Sequence, residues 1–144
     1  MRLFVCVLAL VTMPLLAGCG SSSSPSTPST SVGTFTQTDL VVGTGADATA
    51  GKVITVNYTL WLYDTSKADG KGTLVQTSIG STPFTFTLGA GQVIKGWDQG
   101  VVGMKVGGTR RLIVPPDLAY GAVAQNGIPA NATLVFEIIL LSVQ

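Results

Sequence analysis

The chain has 144 residues, 46% of them hydrophobic, 7% aromatic and only 10% charged, with eight basic against seven acidic side chains. That length accommodates one domain plus appendages, and a net charge of +1 without a run of Lys or Arg gives a phosphate backbone nothing to hold, so no nucleic acid partner is expected. Histidine is absent, which removes the commonest general base near neutral pH, the Ser–His and Cys–His nucleophile pairs and nearly all familiar zinc and copper sites; neither metal nor cofactor is expected.

In chain order, residues 1–18 come first: Arg2 precedes an apolar run that ends in Met13-Pro14-Leu15-Leu16, the pattern of a secretory signal peptide. The run is shorter than the roughly 20 apolar residues that span a bilayer. Its end, Leu16-Ala17-Gly18-Cys19, resembles a bacterial lipobox. That resemblance implies cleavage after residue 18, lipid on Cys19 and an address at the bacterial cell envelope. Because Gly20 and not Asp follows the cysteine, the outer membrane facing the periplasm is the favoured destination. Cys6 would leave with the leader, so no thiol remains for a disulfide or a nucleophile. Removal of Arg2 leaves seven basic against seven acidic residues, and lipid rather than charge would hold the protein to the membrane. Residues 19–33 are Ser-, Thr- and Pro-rich, including Pro25 and Pro28, and read as a flexible tether.

From Thr34 to the C-terminus, taken as the domain 34–144, short β-type runs alternate with glycine-rich turns. Val53–Tyr63 predicts a half-buried strand with Ile54, Val56, Tyr58, Leu60 and Leu62 on one face and Thr55, Asn57 and Thr59 on the other. Shorter strands are predicted at 74–78, 84–88 and 110–114. The stretch 133–143, apolar on both faces except for Glu137, predicts a central strand. The adjacent Arg110 and Arg111 must point to opposite faces, as a solvated edge or a local ion pair. One segment breaks the β rhythm. Val93, Trp97 and Val101 recur every four residues with Ile94 beside them, a helical stripe too short to stand without a sheet beneath it, and Gly96 weakens it further. The predicted class is α+β: a five- or six-stranded antiparallel sheet wrapped around one short helix.

Five motifs carry a resemblance: Val56-Asn57-Tyr58-Thr59, Pro83-Phe84-Thr85-Phe86-Thr87-Leu88-Gly89, Gln92-Val93-Ile94-Lys95-Gly96-Trp97, Ala119-Tyr120-Gly121-Ala122 and Ala132-Thr133-Leu134-Val135-Phe136-Glu137. In this order and spacing, from about Thr38 onward, they resemble the FK506-binding-protein family of peptidyl-prolyl cis/trans isomerases. The resemblance implies a shallow apolar pocket between sheet and helix. Trp97 would lie under a proline ring, with Tyr58, Phe84, Val93, Ile94 and Phe136 as walls. Ile94 would also offer its N–H to a substrate carbonyl and Tyr120 its hydroxyl, Ala119 would contribute to substrate binding, and Ile128 would sit in the loop that closes one rim. The partners implied are proline-containing polypeptides and FK506-like macrolides, with a monomer as the default state. On periodicity alone, Trp97 with its stripe is a core residue, and Tyr58 and Phe136 are packing residues on strands. Trp61, Phe35 and Tyr63 match no pocket position and are assigned to packing or surface.

Two departures from the family pattern stand out. Where the family carries Phe-Asp-Ser-Ser, this chain has Val75-Gln76-Thr77-Ser78, so an aromatic wall becomes Val75 and a carboxylate becomes the neutral amide Gln76; a slip of one residue would put Leu74 and Val75 there instead. The stretch 64–72 is longer than in the smallest family members and is predicted to be an exposed loop. The expected function is catalysis of X-Pro isomerisation for envelope proteins, a reaction that needs no nucleophile, metal or cofactor. The alternatives are a proline-segment binding module or chaperone that turns over weakly because of Gln76, and a surface adhesion lipoprotein using the fold as scaffold.

Overall fold

A computed structural model describes residues 33–144. The leader 1–18, Cys19 and all but the last residue of the tether lie outside the described residues. Six strands and one helix follow in the order β1 (Thr36–Val41), β2 (Val53–Tyr63), β3 (Lys71–Thr77), β4 (Phe84–Thr87), α1 (Lys95–Gly100), β5 (Thr109–Val114) and β6 (Leu134–Val143), with a 3-10 turn at Pro116–Leu118 between β5 and β6. All pairings are antiparallel, in the order β1-β5-β6-β2-β3, and β4 also pairs with β2. Along one edge the long β2 serves two partners, its first half pairing with β4 and its second half with β3, while its other edge pairs with β6. The class is α+β, as the sequence predicts, with six strands.

β6 is central, between β5 and β2, which is why both of its faces are apolar: Leu134, Val135, Ile138 and Leu140 are fully buried. Alternation along β2 buries Ile54, Val56 and Leu60 beneath α1, where they meet Phe86, Trp97, Val101 and Leu112 in one core.

The structure differs from the sequence expectation in three places. β1 is not predicted from its own residues, since all six are exposed and show no apolar alternation. Its pairing makes β5 an interior strand, and of the two settings expected for the arginines the local ion pair is the one found. Arg110, 7% exposed, bonds Asp39 through Nε (2.6 Å) and Nη2 (3.0 Å), and donates from Nη1 to the carbonyls of Gly100 (2.8 Å) and Val102 (3.0 Å). Arg111, on the other face, pairs with Glu137 at 2.8 Å. β3 starts at Lys71, so the loop 64–72 is shorter than predicted; the Lys71 ammonium reaches Glu137 at 3.0 Å and stands 4.8 Å from the Trp61 ring. Finally, α1 begins only at Lys95, and Val93 and Ile94 of the predicted stripe lie ahead of it, Val93 at a bend and Ile94 with ψ 151°.

The helix lies so close to β5 that its two glycines are required by packing. A Cβ on Gly100 would sit 2.7 Å from both methyls of Leu112, and one on Gly96 would overlap Val114 Cγ1 outright. Gly96→Ala raises helix propensity by about 1 kcal/mol, but overpacking costs about 1–3 kcal/mol or more, and Val114 is fully buried with no room to move. The expected result is a lower thermal midpoint; a higher one would show that α1 can lift off the sheet freely.

Acid should also destabilise the fold. Burial raises the Glu137 pKa, but hydrogen bonds from Arg111 and Lys71 outweigh it and hold the carboxyl below its ordinary value. The Arg110 hydrogen bond holds Asp39 low in the same direction. A carboxylate with a depressed folded pKa contributes stability above the unfolded value of about 4 and loses it as pH falls through the folded value. The thermal midpoint is therefore expected to be level near neutrality and to fall as pH drops below about 4. Glu137→Gln should lower the midpoint at pH 7 and flatten the acid limb; an unaltered limb would contradict the assignment.

Candidate functional site: an aromatic cavity between sheet and helix

Alternation along β2 puts Tyr58 and Leu60 on the face that α1 covers. Tyr58 is held at its main chain, where its N–H donates to Ser78 Oγ and its carbonyl accepts the Ser78 N–H, both at 2.9 Å. The buried Ser78 hydroxyl donates in turn to Asn57 Oδ1 at 3.1 Å. On β3 a bulge sets the register: Leu60 opposes Gln76 and Trp61 opposes Leu74, so Val75 is the extra residue. Gln76 then lines the cavity, Val75 packs half-buried against the core, and Leu74 is exposed.

The segment joining β4 to α1 is pinned by side chains. Gln92 Oε1 accepts the Thr87 N–H at 2.8 Å, and the Asp98 carboxylate accepts the Gly89 N–H at 2.9 Å and the Gly91 N–H at 3.1 Å. Those bonds fix the approach on which Val93 and Ile94 reach the cavity. From α1 comes Trp97, 4% exposed and packed against four rings, with centroid separations of 5.2 Å to Tyr58, 5.3 Å to Phe136, 5.6 Å to Phe86 and 6.1 Å to Phe84. Three of these contacts are edge-to-face, the arrangement that ring quadrupoles favour. The Trp97 indole N–H is buried and meets no acceptor among the described residues, so the ring presents an apolar face to the cavity.

The resulting space measures about 160 Å³. A cavity of roughly 150 Å³ lined by apolar groups accepts a benzene-sized ring, so this one takes a single small ring. Tyr58, Phe84, Val93, Ile94, Trp97, Tyr120, Phe136 and Gln76 all line it, as do Leu60 and Gln92, which the sequence reading did not place in the site. Leu60 was legible as the next inward residue after Tyr58, and Gln92 as the first residue of the motif that continues to Trp97. Three candidates lie elsewhere. Val75 supports the loop after β5, with its Cγ1 3.5 Å from where a Cβ on Gly127 would be; Ile128, 7% exposed, belongs to the core; Ala119 lines an adjoining groove.

The lining contains no carboxylate and no amine. Its titratable groups are two phenols. Burial pushes the Tyr58 hydroxyl above its ordinary pKa and Tyr120 adds to the shift, so it remains a protonated donor at neutral pH. Such a site can desolvate a ring and present neutral hydrogen-bond donors beside it.

Comparison with known proteins gives a consistent picture. A family model described as FKBP-type peptidyl-prolyl cis-trans isomerase matches residues 45–141. The "FK506-binding protein" of Neisseria meningitidis serogroup B is 50% identical over 106 residues, which cover 73% of this chain and 92% of that protein. The "FK506-binding protein 1B" of Neurospora crassa is 43% identical over 105 residues, covering 72% and 93%. Among solved structures, FkpA from Escherichia coli superposes with a TM-score of 0.63 at 36% identity, covering 76% of this chain and 48% of that one. AtFKBP13 gives 0.62 at 36% identity, covering 75% and 91%.

Proposed function

The chain belongs to the FKBP-type peptidyl-prolyl cis-trans isomerase family, and from that premise we propose that the cavity around Trp97 is where the X-Pro bond turns and that the clients are proteins of the bacterial cell envelope. The observation that carries the first part is the match between an aromatic-walled space of about 160 Å³ and one proline ring. Rotation about X-Pro must overcome a barrier of roughly 18–20 kcal/mol because amide resonance is lost when the bond twists. The planar amide is the more polar form, and a desolvating pocket disfavours it relative to the twisted one. Tyr120 and the Ile94 N–H are the donors to the twisted carbonyl, and Trp97, Tyr58, Phe84 and Phe136 hold the ring. Neither a covalent step nor a cofactor enters this scheme.

The envelope assignment rests on Leu16-Ala17-Gly18-Cys19 and the Ser/Pro-rich stretch after it. Lipid on Cys19 and a tether over 19–33 would hold the domain 34–144 at the membrane, facing the periplasm, as a monomer. Cys19→Ala should release the protein from the membrane fraction and abolish labelling by a radioactive fatty acid; continued labelling would end this assignment.

The direct test is isomerisation of a short X-Pro peptide by the purified chain, with and without FK506. Acceleration that FK506 inhibits is the expected result. A folded chain that binds FK506 without accelerating the peptide would favour the second reading, a proline-segment binding module, for which Gln76 in the lining is the specific observation. The Gln76→Asp variant separates the two. An amide keeps both a donor and an acceptor, so kcat/KM is expected to stay within about three-fold of the parent; a gain far beyond that would identify the parent as a binder.

A further inference from the structure

We infer that the groove between the start of α1 and the 3-10 turn is a second substrate subsite, which holds the polypeptide running from the proline on one side and favours a basic side chain there. The inference rests on the proline-cavity reading above. A space of about 160 Å³ is filled by one ring, so the residues on either side of the proline must lie outside it. Beside it runs a groove of about 510 Å³, and the two share Val93, Ile94 and Tyr120 as a common wall. A chain leaving the cavity over Ile94 and Tyr120 therefore enters this groove without crossing open surface. The other large groove, flanked by Tyr63 and Asn131, shares no lining residue with the cavity and offers no such continuation.

The groove suits a polypeptide main chain. Gly91 and Gly121 contribute wall without side chains, both at positive φ (71° and 58°), so a strand can approach closely. Its charged residues are Lys95, Asp98 and Asp117. Asp98 is committed to the Gly89 and Gly91 amides. Lys95 and Asp117 are exposed and enter none of the ion pairs among the described residues, so both are free to meet a substrate side chain. Two carboxylates against one ammonium give the groove a net negative charge.

The test uses the full chain in detergent micelles and three peptide lengths: a four-residue X-Pro peptide, and the same peptide extended by four residues on the N-terminal or on the C-terminal side. Extension on one side only is expected to raise kcat/KM by about five-fold, since binding energy away from the reacting bond is added. A Lys-bearing extension should exceed a Glu-bearing one by about two- to three-fold, a preference that 1 M salt removes while the length gain stays. In Asp117→Lys the order of the two extensions should reverse. Equal rates for all lengths, equal gains from both sides, or an unchanged Lys-to-Glu ratio in Asp117→Lys would each overturn the subsite. The four-residue peptide tests the proline cavity with the least chain beyond it: its acceleration with no length dependence sinks only the subsite, whereas its failure to be accelerated sinks the reading beneath it.

Discussion

Trp97→Ala is expected to cost about 3–5 kcal/mol of stability and to lower isomerase kcat/KM by at least ten-fold, in protein that is still folded at low temperature. The stability loss follows from removing the side chain that four aromatic rings pack against and leaving a cavity at the centre of the core. For a domain of this size that is a fall of roughly 15 °C or more in thermal midpoint. The activity loss has a separate origin. Without the indole the enclosed space grows and fills with water, and a proline ring is no longer desolvated against a fixed surface. About 1.4 kcal/mol of lost transition-state stabilisation suffices for the ten-fold effect. Trp97→Phe distinguishes the two causes. It keeps an aromatic face and also removes the unpartnered buried N–H, so it should recover most of the activity with a smaller loss of stability. Trp97→Ala protein that is folded by near-ultraviolet circular dichroism and isomerises within two-fold of the parent would remove the cavity from the mechanism.

Arg110→Ala is expected to be nearly as damaging to stability, about 3 kcal/mol, with little change in the rate on a short peptide at low temperature. This one guanidinium joins three elements: β5, on which it sits; β1, through both oxygens of Asp39; and the end of α1, through the carbonyls of Gly100 and Val102. Removing it leaves those two carbonyls without their charged donor and leaves β1 held by its ladder to β5 without the Asp39 anchor, and the six residues of β1 are all exposed and supply little apolar burial of their own. The reverse truncation, Asp39→Asn, should cost only about 1 kcal/mol, because the Asp39 side chain is 43% exposed and water replaces what it loses. Denaturant melts of the two variants check the asymmetry; equal losses would place the energy in the ion pair and not in the carbonyl contacts.

Gly96 shows how sequence and structure divide the information. In the sequence it is only a weak point in a short helix. In the structure it is the position where α1 touches Val114, so the helix-breaking residue is the one that packing demands. Arg110 and Arg111 show the same division, since alternation correctly sends them to opposite faces but cannot say that Arg110 will meet the end of α1 and Asp39 of β1.

The sequence by itself determined the α+β class, the long strand Val53–Tyr63, the central position of the last strand and the family, because these depend on local period and on motifs whose residues lie close together in the chain. It also named most of the side chains that line the cavity. Only the tertiary structure decided that Thr36–Val41 is a strand, that β3 begins at Lys71, and that the bulge at Val75 brings Gln76 to the cavity while Leu74 stays in solvent. Each of these is fixed by partners far away along the chain: Arg110 for β1, Glu137 for Lys71 and Leu60 for Gln76. Local periodicity carries no record of such partners. An edge strand or a bulged strand is stabilised by cross-strand bonds and ion pairs more than by its own apolar pattern, and those bonds exist only once the sheet has formed.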